Sequence, residues 1–596
     1  MKELEYPFDA EAILRKRKKL RRSLMEDGSK RMQKRIAVLG GSTTHDIVSV
    51  LELFLLDAGI EPVFYESDYG QYWNDVMFDN PELAAFAPEL VCIHTTTRNI
   101  LRFPEIPDDA AAVEGLLEET YQPFVQLWEK IAQRYHCPVI QNNFQEPYFR
   151  IMGNRDAYDI HGRVHFVQAL NERFHAYAAS HDNFHICDIH YMASCYGLQK
   201  WSDPFYWHMY KYEPAVPAIP EFSYNLAAII KSLYGKNRKV LALDLDNTLW
   251  GGIVGDDGPE NIEIGQETSV GQLYSEFQAY IKAQKDLGVL LCVDSKNEEE
   301  NALAGLSRPD SVLKPEDFVM LCANWEPKDK NLQEMAEVLH LGIDAFVFVD
   351  DNPAERHIVR EQLPGVAVPE IGQPQDYLIT LDRSAFFETT VLSQDDRKRS
   401  EMYRANAQRR QMEAAFTDYG AYLDSLQMEA EIGAFSPVYM SRIAQLTNKS
   451  NQFNLTTKRC TQAELERYAA DPACITLYGK LADRFGDNGV VSVVFGHQED
   501  AVFHIDLWLM SCRVLKREME YAMMDVLEEK CRQRGIRKIR GYYYPTAKNK
   551  MVKEFYGLQG FARVSEDDAG NAVWVYEIKE ATKKRTAHIQ IREAGA

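Results

Sequence analysis

The chain has 596 residues, of which 45% are hydrophobic and 26% charged, and a formal net charge of −22. That length exceeds one hydrophobic core and sets an expectation of three or four domains. So acidic a chain is excluded as a general nucleic-acid binder, which needs clustered Lys and Arg, and it meets an acidic carrier protein only through a local basic patch.

The start, MKELEYPFDAEAILRKRKKLRRSL, places acids ahead of its basic run and no apolar stretch after it, so no signal peptide is expected. No window of transmembrane length is free of charge. The ten cysteines show no C-x-x-C pair and no metal spacing, which reads as reduced thiols in a cytoplasmic protein.

Residues 1–32 form a basic segment. Ile13, Leu14, Leu20 and Leu24 predict an amphipathic helix over 8–32, and Arg15 to Arg22 holds seven cations in eight residues. The run is a solvated helix face or a docking surface for an acidic partner.

From 33 to 235 short apolar runs alternate with helical stretches. RIAVLGGSTT is a strand ending in a glycine turn with Ser42, and a helix follows from His45 to Leu56. EPVFYES, LVCIHT, CPVIQNN and FHICDIH are further strands, so a doubly wound parallel sheet is expected. The order resembles the SGNH hydrolases, which would make Ser42 the nucleophile and a late Asp-His pair its partners. Asp188 and His190 are the candidates, but their D-x-H spacing suits an acid orienting a base poorly. A scaffold domain that retains the serine turn is the alternative.

The most informative stretch is KVLALDLDNTLWGGIVGDDG, from Lys239 to Gly258. Val240 to Leu243 has the length of a buried parallel strand. Asp244 and Asp246 follow it with Thr248 beyond, and residues two apart on a strand face the same way. Ligands bind at that end of an open α/β sheet. Two such close carboxylates repel unless a cation sits between them or one keeps its proton, and Mg2+ with a phosphate meets that need. Ser295 closes a second apolar run, Lys328 precedes a helical stretch in NWEPKDKN, and Asp350 and Asp351 close a third in AFVFVDDN. Acid pair, hydroxyl, lysine and second acid pair together make a phosphoryl-transfer site.

This set resembles the haloacid dehalogenase (HAD) phosphatases. The resemblance implies a Rossmannoid core over 236–390 without a large cap, since 250–261 leaves room for a flap only. It further implies Asp244 as nucleophile, Asp246 as general acid and base, and Thr248, Ser295, Lys296, Asn297 and Lys328 around the phosphoryl group. Mg2+ would be held by Asp244 and Asp246 with Asp350 or Asp351.

Residues 391–430 read as a charged helical linker and 431–580 as a further domain, with a tail over 581–596. AVFHIDLWLM is a long strand, Arg517 to Gly535 a helix, IRKIRGYYYP a strand and KNKMVKEFYGLQGF a last helix. This order resembles the GNAT acyltransferases, and Asn549 and Tyr556 fit the spacing of their last helix. Their pyrophosphate loop, Q/R-x-x-G-x-G/A, is matched by Arg513-Val514-Leu515-Lys516-Arg517-Glu518, with Lys516 and Glu518 in place of both glycines. Cys512 precedes the loop beside Arg513, Lys516 and Arg517, a setting that favours a thiolate nucleophile; the other reading is an inert buried thiol.

LALDLDNTLWGG, NWEPKDKN, FVFVDDNPAER, NKSNQFNLTT, DRFGDNG and SCRVLKRE, in this order, resemble FkbH-like proteins from about residue 35 to 580. The resemblance implies a phosphatase coupled to acyl transfer. A glyceryl unit from 1,3-bisphosphoglycerate, an acyl phosphate, would be loaded on an enzyme thiol and dephosphorylated, then passed to the phosphopantetheine thiol of an acyl carrier protein. An N-acyltransferase acting on a phosphorylated sugar or amine stays open, as does a carrier-binding scaffold.

Overall fold

A computed structural model describes residues 1–392, 399–413, 416–450, 452–546, 548–579 and 584–593. It is an α/β chain of two compact units, Met1–Lys236 with Glu388–Val391, and Asn237–Phe387 with Leu392–Ala596. Among the described residues no helix is long and apolar enough to cross a membrane.

The first unit is built on five parallel strands: β1 (Met32–Gly40), β2 (Ile60–Glu66), β3 (Leu90–His94), β4 (Val139–Asn142) and β5 (Phe184–Cys187), in the order β2-β1-β3-β4-β5. β3 is buried along its whole length, as a parallel strand covered by helices on both faces must be. The order reverses between β1 and β3, so the turn after β1, with Ser42, stands at a topological switch point. Ahead of the sheet runs the Ala10–Glu26 helix. Asp9 caps it by accepting from Ala12 N at 2.9 Å. It buries Ile13, Leu20 and Leu24, and Arg17 and Arg21 pair with Asp46 and Glu52 of the His45–Asp57 helix. Arg15, Lys16, Lys18, Lys19 and Arg22 remain exposed.

The second unit opens with β6 (Val240–Leu243), β7 (Leu290–Ser295), β8 (Met320–Ala323) and β9 (Phe346–Val349), a parallel sheet in the order β8-β7-β6-β9. Alternation along β6 divides its side chains between two cores: Leu241 and Leu243 face one, Val240 and Ala242 the other. Between β6 and the Ser269–Asp286 helix lies only a small flap, closed by Gly251 and Glu263 exchanging backbone hydrogen bonds of 3.0 and 2.8 Å. The Arg399–Glu413 helix is more than a spacer. Its Tyr403 joins the core against Val240 and Phe348, and its Arg409 forms a paired bond to Asp483 in the following domain.

That domain carries β10 (Met428–Gly433), β11 (Cys474–Asp483), β12 (Gly486–Glu499), β13 (Val502–Met510), β14 (Lys538–Tyr543), β15 (Ala562–Glu566), β16 (Ala572–Glu577) and β17 (Ile589–Glu593), in the order β15-β16-β14-β13-β12-β11-β10-β17. β10 to β13 form an antiparallel meander, and β14 then pairs parallel to β13, which makes the sheet mixed. Only Val502–His504 pair with Lys538–Arg540; beyond them the strands part. Residues 453–455 fill the opening. Leu455 N donates to Trp508 O at 3.1 Å and Met510 N to Phe453 O at 3.0 Å, while Tyr544 N donates to Leu455 O at 2.9 Å.

Candidate functional site: a carboxylate and lysine cluster at the end of β6

Asp244 leaves β6 with its N–H on Val349 O at 2.9 Å, anchored to the neighbouring strand β9. The chain then turns through Asn247 at φ 55°, a left-handed position that Asn tolerates. Across the cleft, Lys328 opens the Lys328–Val338 helix and is 3% exposed. Its ammonium lies 2.9 Å from Asp244 Oδ1 and also pairs with Asp350. Burial works against the charged ammonium, but Asp244 and Asp350 outweigh it and its pKa is raised.

Asp244, Asp350 and Asp351 bring one oxygen each within 4.8 Å of one another. The Ser295 hydroxyl is buried without a hydrogen-bond partner, an uncommon and costly state for a core hydroxyl. Thr248 Oγ1 accepts from Asp351 N at 3.1 Å, tying the first acid loop to the second. These sequence-predicted residues converge. Asp246 stands apart from the three-carboxylate group. Its Oδ1 accepts from Trp250 Nε1 at 2.9 Å and Val254 N at 3.0 Å, and its Oδ2 from Asn297 Nδ2 at 2.9 Å. The expectation that the Asp246 side chain joins the metal set is therefore corrected: the flap holds it elsewhere, and burial raises its pKa, as suits a proton donor. Lys296 turns away to Glu355 at 2.6 Å, so it is not brought to the phosphoryl position; Asn297 acts through Asp246.

The sequence reading missed three contributors. Asp294 is wholly buried, accepts from Asn331 Nδ2 at 2.9 Å, and is pushed by burial to about 7. Arg356 donates to the Asp350 and Asp351 carbonyls at 2.7 Å each, and Trp250 orients Asp246. The signal for Asp294 was present: a carboxylate inside an apolar strand. Burial also raises Asp350 to about 6 and Asp351 upward. Several carboxylates thus crowd one lysine, a charge excess that a hard divalent cation with oxygen ligands would relieve. The donor set fits such an ion.

The Ser42 turn is built differently. Ser42 is 1% exposed, and its hydroxyl donates to Glu213 O at 3.4 Å. Asp188 caps the Ile189–Tyr196 helix through Tyr191 N at 3.1 Å and accepts from Asn143 Nδ2 at 2.7 Å. His190 Nδ1 lies 3.9 Å from Glu146. The structure thus does not bring the expected acid and base to the serine. The nearer ring is His94, with Nδ1 3.0 Å from Asn142 Oδ1 and Nε2 2.6 Å from the same Glu213 carbonyl. A cavity of about 210 Å³ opens at Ser42, lined also by Thr44, Glu66 and Asp68.

In the C-terminal domain the side chain of Cys512 lies outside the described residues. Lys516 and Glu518, at the loop's two glycine positions, have φ of 63° and 61°. The loop keeps a glycine-like backbone without glycine. Arg513, Lys516 and Arg517 line a cavity of about 540 Å³ together with Arg409, Tyr403 and Lys548. Arg517 and Arg409 share Asp483 at 3.2 and 2.7 Å, and burial lowers Arg517 to about 10. Asn549 and Tyr556 do not reach this cavity, which corrects their assignment as acyl-transfer residues. Both are 0% exposed. Asn549 Nδ2 donates to Asn454 O and Tyr544 O at 2.9 Å each, holding the inserted segment, and the Tyr556 ring packs against Gly541 and Trp508.

Residues 35–231 match the family described as FkbH, N-terminal domain. No curated protein matches the chain at a significant level. The N-terminal part of the protein BF1531 from Bacteroides fragilis, described as containing a phosphatase domain and complexed with Mg, is 31% identical. The match covers 63% of this chain and 99% of that one, with a TM-score of 0.58. The ribosomal-protein-S18-alanine N-acetyltransferase from Escherichia coli matches at 9% identity over 26% of this chain and 99% of its own, TM-score 0.21. Ard1 from Thermoplasma volcanium matches at 20% over 25% and 99%, TM-score 0.20. With the FkbH N-terminal domain in place, a phosphatase-containing relative at that identity and coverage, and the acid–lysine cluster at the end of β6, this chain belongs to the FkbH-like family.

Proposed function

We propose that the chain is a Mg2+-dependent phosphatase coupled to acyl transfer, acting on a glyceryl unit from 1,3-bisphosphoglycerate on its way to an acyl carrier protein. The observation that carries the reading is the convergence of Asp244, Lys328, Asp350 and the unpartnered Ser295 hydroxyl, in one compact unit with the arginine-lined cavity.

In loading, a Cys512 thiolate attacks the carbonyl carbon of the acyl phosphate; the C–O bond breaks, inorganic phosphate leaves and a thioester forms. Arg513, Lys516 and Arg517 steady the departing phosphate. The 3-phosphate then meets Asp244, whose carboxylate attacks phosphorus as the P–O bond to the glyceryl oxygen breaks. Asp246, whose carboxyl burial shifts toward the protonated form, serves as the general acid and gives a proton to that oxygen. Water next attacks the aspartyl-phosphate, Asp246 takes up its proton, and phosphate is released. Ser295 and Lys328 hold the phosphoryl oxygens throughout. Asp244, Asp350 and Asp351 would hold Mg2+, which the Bacteroides relative contains, and the bound ion would neutralise phosphoryl charge. The carrier's phosphopantetheine thiol finally displaces Cys512 from the thioester.

One observation favours a second reading, a CoA-dependent N-acyltransferase acting on a phosphorylated sugar or amine: the loop at Lys516 and Glu518 keeps the backbone that glycines would give. Intact-protein mass spectrometry separates the two. With 1,3-bisphosphoglycerate, Asp244→Asn is expected to accumulate a phosphoglyceryl adduct that maps to Cys512. No adduct, together with acetyl transfer from acetyl-CoA to an amine, supports the second reading.

A further inference from the structure

Two histidines of the C-terminal sheet have no part in the phosphatase or the acyl-transfer reading. β12 and β13 pair antiparallel with His497 opposite His504, and Glu499, two residues along β12, shares the face of His497. The two rings lie nearly parallel, 14° apart with centroids at 5.2 Å. Glu499 Oε2 is 3.6 Å from His504 Nε2. One ligand atom each from His497, Glu499 and His504 falls within 4.8 Å of the others.

We propose that His497, Glu499 and His504 bind Zn2+ on the β12–β13 hairpin, through Nε2 of each ring and one Glu499 oxygen, with water as fourth ligand. Imidazole and carboxylate are the ligands Zn2+ takes in three-residue sites with an open position. The surroundings of the rings point the same way. A ligating imidazole characteristically gives its other nitrogen to a carboxylate or another oxygen, which fixes the tautomer. His497 Nδ1 lies 3.1 Å from Asp506 Oδ2, and His504 Nδ1 lies 2.8 Å from the Tyr542 hydroxyl. Both Nδ1 atoms are engaged, which leaves both Nε2 atoms for an ion.

The spacing is close to what the ion needs. Two ligands about 2.1 Å from a tetrahedral centre lie about 3.4 Å apart, close to the 3.6 Å between His504 Nε2 and Glu499 Oε2. Glu499 is exposed, with 73% side-chain accessibility, and can take up the remaining adjustment. His504 is also the last β13 residue paired with β14. An ion there would pin the hairpin where the two strands begin to part. The oxygen-only cluster of Asp244, Asp350 and Asp351 favours a hard ion, so the two sites would sort metals by ligand type.

Co2+ added to the full-length protein in excess Mg2+ tests the assignment. The expected result is one equivalent of Co2+ with the strong visible absorption of a four-coordinate nitrogen–oxygen site, bleached by Zn2+. His497→Ala and His504→Ala should abolish the band, Asp351→Asn should keep it, and Asp506→Asn should weaken Co2+ binding roughly 10-fold. His497 is partly exposed, so His497→Ala tests the site even if His504→Ala fails to fold; phosphate release equal to the parent protein certifies its fold. A band unchanged in folded His497→Ala, or no four-coordinate Co2+ in the parent protein, overturns the proposal.

Discussion

After β1 the chain turns through Gly41 and Ser42; after β6 it turns through Asp244 to Thr248. Both turns follow a buried parallel strand with parallel neighbours on each side, and both place polar side chains where such sheets bind ligands. At the second turn the neighbouring strands send Ser295, Asp350 and Asp351 to the same point, and Lys328 arrives from a helix start. At the first, Asp188 goes to a helix cap, His190 to Glu146, and His94 to a backbone carbonyl. A strand end supplies a position; chemistry requires that several elements aim at it with their hydrogen-bonding capacity unspent. The Ser295 hydroxyl is unpartnered and the Ser42 hydroxyl is committed, and that difference is the comparison in two atoms.

The largest expected effect tests the occupied side of this comparison. Asp244→Asn keeps the shape but removes the nucleophile, so Mg2+-dependent phosphate release should fall on the order of 10⁴-fold, about 5 kcal/mol in barrier. A steady-state phosphate assay with circular dichroism as a folding control measures it. Release within 10-fold of the parent protein would remove Asp244 from the mechanism.

Much of this is legible in the sequence. The alternation of apolar runs and helices specified both parallel sheets, and strand-end placement identified Asp244, Ser295, Asp350 and Asp351. Spacing alone did not reveal which way a side chain turns. Asp246 sits two residues from Asp244, yet the flap draws it to Trp250 and Val254. Lys296 follows Ser295 but extends to Glu355. The spacing that suggested Asn549 and Tyr556 was real, but it reports the packing of a helix: one holds the inserted 453–455 segment and the other fills the core. That insertion depends on partners about fifty and ninety residues away in sequence, beyond the reach of local pattern.

A middle-sized effect is expected at Asp294, which separates support from chemistry within the phosphatase site. Its folded pKa is about 7 against an ordinary 3.8. The folded chain therefore keeps a proton that the unfolded chain has already released, and stability falls as pH rises from about 4 to 7. About three pKa units at ~1.4 kcal/mol each set an upper bound of roughly 4 kcal/mol. Asp294→Asn keeps an oxygen for Asn331 and removes the titration. Its denaturation midpoint should exceed that of the parent protein at pH 8 and approach it at pH 4. Urea unfolding at the two pH values makes the comparison; the same midpoint difference at both would show that Asp294 is not the group whose proton is linked to folding.

The smallest effect is expected at Ser42, and it bears on the quiet side of the comparison. The hydroxyl is buried and makes a long 3.4 Å bond to the Glu213 carbonyl, which His94 Nε2 already meets at 2.6 Å. Ser42→Ala therefore leaves that carbonyl bonded, and the cost to stability should stay within about 1 kcal/mol. A nucleophilic serine would need a ring nitrogen free to take its proton. His94 has Nε2 against the Glu213 carbonyl and Nδ1 against Asn142 Oδ1, so both nitrogens face other oxygens, and Asp188 is fixed at its helix cap. Phosphate release and adduct formation should both remain within about two-fold of the parent protein. The outcome that would reverse the comparison is a loss beyond roughly 100-fold, about 2.7 kcal/mol in barrier, in a protein with an unchanged melting curve. His94 would then have to leave the Glu213 carbonyl during the reaction, and His94→Ala would have to reproduce the loss.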